Sequence, residues 1–307
     1  MDIVVENLSK SFGYQKAIDD VTFEVKKGEI LGFLGPNGAG KTTTMKIMSC
    51  FLHPDRGNIH IGKYSIRKHA PKIKQVIGYL PEHNPLYDEM NVIDFLVFIA
   101  NIHNIPKYKL TPRVLDMLRL CGLEDEKHKL IRELSKGYKQ RVGLAQALIH
   151  DPAVIILDEP TTGLDPNQIV EIREMIRTIG REKTVILSSH ILAEVEATCD
   201  KVLIINKGKI VANGTSSELR STSKTDKFLQ VNILGGEIDD IHTALAALPG
   251  IKHFKSVQEN GFEIQCSKEE DIERMIFELC TANNWYIKRL TPVETRLEDI
   301  FRQLTQN

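Results

Sequence analysis

The chain has 307 residues, 42% of them hydrophobic, which suits one large domain with an appendage or two domains and argues against wholesale disorder. Lys and Arg number 40 against 41 for Asp and Glu, so no global basic field of the kind that binds nucleic acid is present. The five cysteines are odd in number, scattered and without a C-x-x-C pair. That fits a reducing compartment and argues against a disulfide framework or a zinc site.

The N-terminal "MDIVVENLSK" carries acidic residues early and no long apolar core, unlike a signal peptide. Residues 21–25 and 30–34 are apolar and largely β-branched, as buried strands tend to be, and residues 41–51 read as a helix. The longest apolar run, "VIDFLVFIANI", is about half the ~20 residues of a membrane span, and Asp94 interrupts it. The expectation is a soluble, cytosolic chain whose membrane contact goes through a partner. Residues 91–148 read as mostly helix, with Thr111-Pro112 as an N-cap and N1 pair. They predict a helical subdomain, about 84–150, inserted into the rest.

Within it lies "LSKGYKQRVGLAQALIHDP", where Ser135 is an N-cap candidate and Val142, Leu144, Ala145, Leu148 and Ile149 fall at roughly helical spacing. Gly137 is the odd member, since glycine disfavours a helical turn by about 1 kcal/mol relative to alanine. Something there needs the backbone exposed.

Strand-like runs at 154–157, 185–188 and 202–205 alternate with helical patterns at 168–179 and 192–199. This predicts an α/β core with a largely parallel sheet. Residues 215–227 are polar and Ser/Thr-rich, a helix end followed by a linker. Beyond them come a strand (228–233), a helix (238–248), two strands (252–257, 262–266), a helix (269–282), a strand (285–290) and a helix (297–304). That β-α-β-β-α-β order predicts a small α+β domain of ferredoxin-like type with no catalytic constellation. The expected domains are 1–220 and 221–307.

Two motifs carry chemistry. In "ILGFLGPNGAGKTTTMKIM", Gly35, Gly40, Lys41 and Thr42 fit G-x-x-x-x-G-K-[ST] between a predicted strand and a predicted helix. Such glycines let consecutive N–H groups face phosphate oxygens, and the helix N-terminus adds positive partial charge. The candidate loop is Gly35, Pro36, Asn37, Gly38, Ala39, Gly40, Lys41, Thr42 and Thr43, with Lys41 on the β- and γ-phosphates and the Thr42 hydroxyl on Mg²⁺. In "AVIILDEPTTGLDP", an apolar strand ends in Asp158, placed to hold Mg²⁺ through its water shell. Glu159 follows, placed to orient or deprotonate a water attacking the γ-phosphate.

Phosphate loop, "LSKGYKQR", "ILDEPTTGLDP" and "ILSSHIL" occur in the order and spacing seen in ATP-binding subunits of ABC transporters, and the resemblance covers about residues 2–220. It implies a P-loop ABC ATPase using ATP and Mg²⁺ and a head-to-tail dimer, a homodimer as read here. Each ATP then lies between one phosphate loop and the other subunit's signature, Ser135 to Tyr138. By this resemblance Ser135 and the Gly137 backbone bind the partner's γ-phosphate, and Phe12 stacks on adenine, with Tyr14 close enough to compete. His190 contacts the γ-phosphate, and Asp165 lies in the loop that communicates across the dimer. Asp165 also reads as a helix cap before Pro166.

Three residues depart from the family pattern. Lys136 and Tyr138 stand where the signature usually has glycine and glutamine, and Glu82 replaces the usual glutamine near Mg²⁺. With "GLAQALIHDP" and "TTGLDPNQIVEIR", these departures resemble ATPases of the multidrug and gliding-motility type, which work with separate ABC-2 permeases. The tail "TPVETRLEDIF" resembles that group too, although an amphipathic helix explains it equally well. The reading is a transport ATPase, peripheral on the cytoplasmic face of the membrane through its permease, with no nucleic-acid partner. The rivals are a soluble ABC protein acting on ribosomes or DNA and a non-hydrolysing regulatory module.

Overall fold

The computed structural model describes residues 1–222, 226–257, 261–267, 270–293 and 297–305. The chain divides into two compact units, Met1–Ser216 and Ser217–Asn307.

The first unit begins with β1 (Ile3–Phe12) and β2 (Gln15–Val25), followed by β3 (Ile30–Leu34) and α1 (Lys41–Met48). Next come β4 (Arg56–Ile61), β5 (Tyr64–Ser65), α2 (Ile66–Val76) and β6 (Ile77–Leu80). The helical segment holds α3 (Val92–Ile102), α4 (Lys107–Leu120), a short 3-10 turn at Ile131–Glu133 and α5 (Lys136–Leu148). Then follow β7 (Val154–Leu157), α6 (Pro166–Gly180), β8 (Thr184–Ser189), α7 (Leu192–Thr198), β9 (Lys201–Asn206) and β10 (Lys209–Gly214), while α8 (Ser216–Thr222) starts on this unit's last residue and continues into the second.

Six strands form the central sheet in the order β10-β9-β3-β8-β7-β6, all parallel except the β10 edge. Residues of β3, β7 and β8 are buried on every position, as a sheet covered on both faces requires. Register decides what meets at the carboxyl edge. Leu34 lies beside Ser189 and Leu157 beside Leu187, so the chain leaves β3, β7 and β8 at one rim. In open parallel sheets that rim is where ligands bind.

A second sheet, β2-β1-β4-β5, is antiparallel throughout. It packs its apolar face, including Ile3, Val5 and Ile59, into one cluster with Phe33, Met45 and Leu203. The composition reading finds only its second strand, at 21–25, because β1 and β4 mix charged residues into their runs.

Two boundaries are corrected. Thr111-Pro112 does not begin a helix: α4 starts at Lys107, after Pro106, and Pro112 lies inside it. Proline there removes one helical hydrogen bond, but the buried stripe of Val114, Met117 and Leu118 keeps the helix packed. The helix read as 41–51 ends at Met48, because Cys50 turns left-handed (φ 59°) and reverses the chain.

The second unit contains β11 (Asp226–Leu234), α9 (Ile238–Ala246), β12 (Ile251–Val257), β13 (Gly261–Ser267), α10 (Ile272–Ala282), β14 (Tyr286–Val293) and α11 (Leu297–Thr305). The strand order β12-β13-β11-β14, antiparallel throughout, is the ferredoxin-like arrangement expected from β-α-β-β-α-β. Its core joins Leu229, Val231, Ile233, Phe262 and Ile264 of the sheet to Ile241, Leu245, Ile272 and Ile276 of the helices. The first residue of the helix read as 269–282, and part of the "TPVETRLEDIF" tail, lie outside the described residues.

Candidate functional site

Residues 35–40 leave β3 and turn into α1 through Gly38 (φ 78°) and Gly40 (φ 109°), a backbone only glycine adopts without strain. Space is tight as well: a Cβ on Gly35 would sit 2.4 Å from the Ile205 carbonyl oxygen, and one on Gly40 2.5 Å from that of Ala17. The loop therefore hugs the fold and leaves its N–H groups at the start of α1. Lys41, buried, turns back over it and donates to the carbonyls of Gly35 (2.8 Å) and Pro36 (3.3 Å). Its ammonium also lies 3.4 Å from Glu159 Oε1.

Asp158, the first residue after β7, is fully buried. Its Oδ1 accepts from the Ser188 hydroxyl (2.7 Å) and the Thr42 hydroxyl (3.2 Å). Oδ2 is buried without a hydrogen-bond partner. Burial pushes this carboxyl above the usual Asp range against the two hydroxyl contacts, and the charges of Glu82 and Glu159 push the same way. A buried, half-satisfied carboxylate with a hydroxyl beside it is an all-oxygen donor set of the kind hard divalent cations take.

Glu159 sits in the left-handed region (φ 50°), which costs a non-glycine residue on the order of 1–2 kcal/mol. The conformation is held at both ends. Its N–H donates to Ser188 Oγ (2.9 Å), while Oε2 accepts from His190 Nδ1 (2.9 Å) and the Thr162 hydroxyl (3.2 Å). Because a carboxylate only accepts, the Nδ1 of His190 carries the proton in this pair. Thr42, Asp158, Glu159 and His190 thus form one group hydrogen-bonded through Ser188 at the sheet rim, and Lys41 joins it by its ion pair with Glu159.

Glu82, exposed after β6, joins Thr42, Tyr79 and Asp158 in the lining of a cavity of about 730 Å³ that also reaches His103 and His150. Burial, with the charges of Asp158 and Glu82, raises the Tyr79 hydroxyl and keeps it protonated. Phe12 is half-exposed, with the Lys10 ammonium 5.7 Å from its ring, and Tyr14 is fully exposed on the same hairpin.

The signature residues lie elsewhere. Ser135 caps α5, accepting from Tyr138 N–H (3.3 Å), and no hydrogen bond among the described residues joins 135–138 to the phosphate loop. Gly137 is buried rather than open: a Cβ there would meet the Gln168 side chain at 2.5 Å. The Lys136 ammonium covers Gly163, so the start of α5 rests on the loop that follows Glu159. Asp165 caps α6, accepting from Gln168 N–H (3.0 Å) in a reciprocal capping box, and the helix-cap reading of this residue is met.

Motif reading passed over Ser188, Thr162 and Tyr79. The available signal for Ser188 was two serines ending an otherwise apolar strand, a local conflict of the kind that marks functional sites.

The glycine-lined turn from a central parallel strand into a helix, with paired carboxylates after the next strand but one, defines a P-loop nucleotide-triphosphate-binding protein. Comparison with known proteins narrows this. Residues 18–162 match the family model "ABC transporter", and residues 214–305 match "ATP-binding protein DrrA1-3-like, C-terminal domain". The chain is 33% identical over 306 residues to the linearmycin resistance ATP-binding protein LnrL of Bacillus subtilis (strain 168), covering 98% of this chain and 97% of that one. It is 34% identical over 308 residues to the bacitracin transport ATP-binding protein BcrA of Bacillus licheniformis, covering 98% and 96%. A solved structure of an ATP-binding subunit of an ABC transporter matches with a TM-score of 0.67 at 30% identity, over 80% of this chain and all of that one. The chain belongs to the ATP-binding subunits of ABC transporters, and it binds and hydrolyses ATP.

Proposed function

We propose that this subunit hydrolyses MgATP at a head-to-tail homodimer interface and drives a separately encoded permease of the ABC-2 kind in the direction of export. The observation carrying the chemistry is the convergence of Lys41, Thr42, Asp158, Glu159 and His190 through contacts of 3.4 Å or less. On ATP binding, Lys41 exchanges the Gly35 and Pro36 carbonyls for β- and γ-phosphate oxygens. The N–H groups of residues 35–43 line the rest of the triphosphate, and Phe12 covers the adenine. Thr42, Asp158 with its unpartnered Oδ2, and Glu82 from across the cavity would hold Mg²⁺, which would supply positive charge to offset that of the triphosphate.

Glu159, turned by its strained backbone toward the loop and steadied by Thr162 and His190, takes the proton of the attacking water. His190 contacts the γ-phosphate. Ser135 and Gly137, flanked by Lys136 and Tyr138, complete the partner subunit's ATP site, and Asp165 lies in the loop that relays between the two sites. Their place away from the subunit's own phosphate loop supports a role in trans.

No helix among the described residues is long and apolar enough to cross a membrane. Contact with the permease assigns this subunit to the cytoplasmic face, and the helical segment with the loop after Glu82 makes that contact. Two relatives named for linearmycin resistance and bacitracin transport support export.

The test mixes two inactive variants, Ser135→Arg and Lys41→Ala. A head-to-tail mixed dimer has one site with both defects and one with neither, so partial ATPase activity reappears. A demonstrated mixed dimer that stays as inactive as its parents, while a mixture of wild type with the double variant remains active, overturns the trans assignment.

A further inference from the structure

Four charged side chains are buried among the described residues: Lys41, Asp158, Glu159 and Glu194. The first three form the site just described. Glu194, in the first turn of α7, has no ion-pair partner among the described residues. Its Oε2 instead accepts from the Thr161 hydroxyl (2.5 Å) and from the Ser189 hydroxyl (3.4 Å), both buried. Burying a carboxylate on hydroxyl contacts alone gains little stability over an apolar side chain, so its place calls for another explanation.

The two hydroxyls belong to the two loops that carry the reacting groups. Thr161 is two residues beyond Glu159, in the same turn, and its neighbour Thr162 donates to Glu159 Oε2. Ser189 precedes His190, and its oxygen also accepts from the N–H of Ile191 (3.0 Å), bracketing the histidine on both sides. One carboxylate oxygen therefore ties the loop holding Glu159, which sits in a strained conformation, to the peptide holding His190, its 2.9 Å partner.

We propose that Glu194 is a positioning residue for ATP hydrolysis: through Thr161 and Ser189 it fixes Glu159 and His190 relative to each other, setting turnover and leaving ATP binding alone. This rests on the reading of Glu159 as the group that activates water. Among the described residues no hydrogen bond or ion pair joins Glu194 or Thr161 to residues 35–43, so loss of the clamp misaligns the carboxylate without removing a phosphate contact.

The test uses the purified full chain with Thr161→Val, Thr161→Ser, Glu194→Gln and the pair Thr161→Val/Glu194→Gln, beside Glu159→Gln as reference. Thr161→Val keeps shape and loses the donor, and misplacement on this scale lowers kcat by roughly tenfold or more, with KM and the ATP Kd within about twofold. Thr161→Ser restores kcat. Glu194→Gln still offers an oxygen to Thr161 and retains more turnover than Thr161→Val. The paired variant removes the buried charge together with its donor, so it shows the same kcat loss even where Thr161→Val alone folds poorly. A folded Thr161→Val or paired variant with wild-type kcat overturns the proposal, as does a Kd for ATP that rises in step with the loss, or a Thr161→Ser as slow as Thr161→Val. If Glu159→Gln turns over normally, the reading of Glu159 fails instead; an inactive Glu159→Gln beside a fully active Thr161→Val removes only the clamp.

Discussion

The two units bury their residues on different terms. In Met1–Ser216 the carboxyl rim of the central sheet holds four buried charges, with three buried hydroxyl-bearing residues bonded to them: Thr161, Ser188 and Ser189. In the second unit no polar or charged residue is buried among those described; its core is aliphatic and aromatic side chains with Cys266 and Cys280. Buried charge costs desolvation and buried apolar surface does not. The first unit therefore accepts a loss of stability where chemistry happens, whereas the described core of the second gains stability from apolar packing. Activity and stability should separate along the same line.

The largest expected effect is on stability. Phe262→Ala empties the centre of the second unit's core, where the ring is fully buried against Phe254, and costs about 3–5 kcal/mol. ATP affinity measured by isothermal titration stays unchanged. A matching loss of ATP binding at temperatures where the variant stays folded breaks the separation.

Glu159→Gln acts in reverse. It keeps size and most hydrogen bonding while losing basicity, so kcat falls by ~10²-fold or more and ATP binding survives. Size-exclusion chromatography with MgATP then finds the two subunits held together. Monomer only, with full activity, contradicts the proposed role and the dimer at once.

The smallest effect is one of pH. His150 stacks on His103 with ring centroids 3.9 Å apart, and Nε2 donates to the Ile77 carbonyl (2.9 Å). Burial, then the charge of His103, pushes His150 down to about 4, and burial lowers His103 too. Since the unfolded chain binds these protons first, stability is full above about pH 6.5 and declines as pH falls toward 4. Melting temperatures between pH 7.5 and 5 check this: His150→Gln flattens the decline, and an unchanged slope removes the histidine from the explanation.

Much of this was legible in the chain itself. The phosphate loop and "ILDEP" announce themselves because glycine spacing and a carboxylate after an apolar run are local requirements. The β-α-β-β-α-β order of the second unit is legible for the same reason, since its strands alternate buried and half-buried residues along β11 and β13. The antiparallel sheet was less so: β1 carries Glu6 and Lys10 on a half-exposed strand, and its pairing with β4 spans a long stretch of chain. The Pro112 signal misled because a packed apolar stripe outweighs one missing hydrogen bond.

Local spacing along the chain specifies which groups can do chemistry: a flexible cradle for phosphate, a lysine, a hydroxyl and two carboxylates. That these groups meet is a matter of long-range strand pairing. Parallel register puts Leu34 beside Ser189 and Leu157 beside Leu187, so three segments, the first more than a hundred residues from the other two, end on one rim. Tertiary packing likewise decides that Gly137 is closed over by Gln168 and that Ser188 joins Asp158 to Glu159. Those contacts depend on strand order and on which side chains are desolvated together, and neither is encoded in the spacing of any one segment.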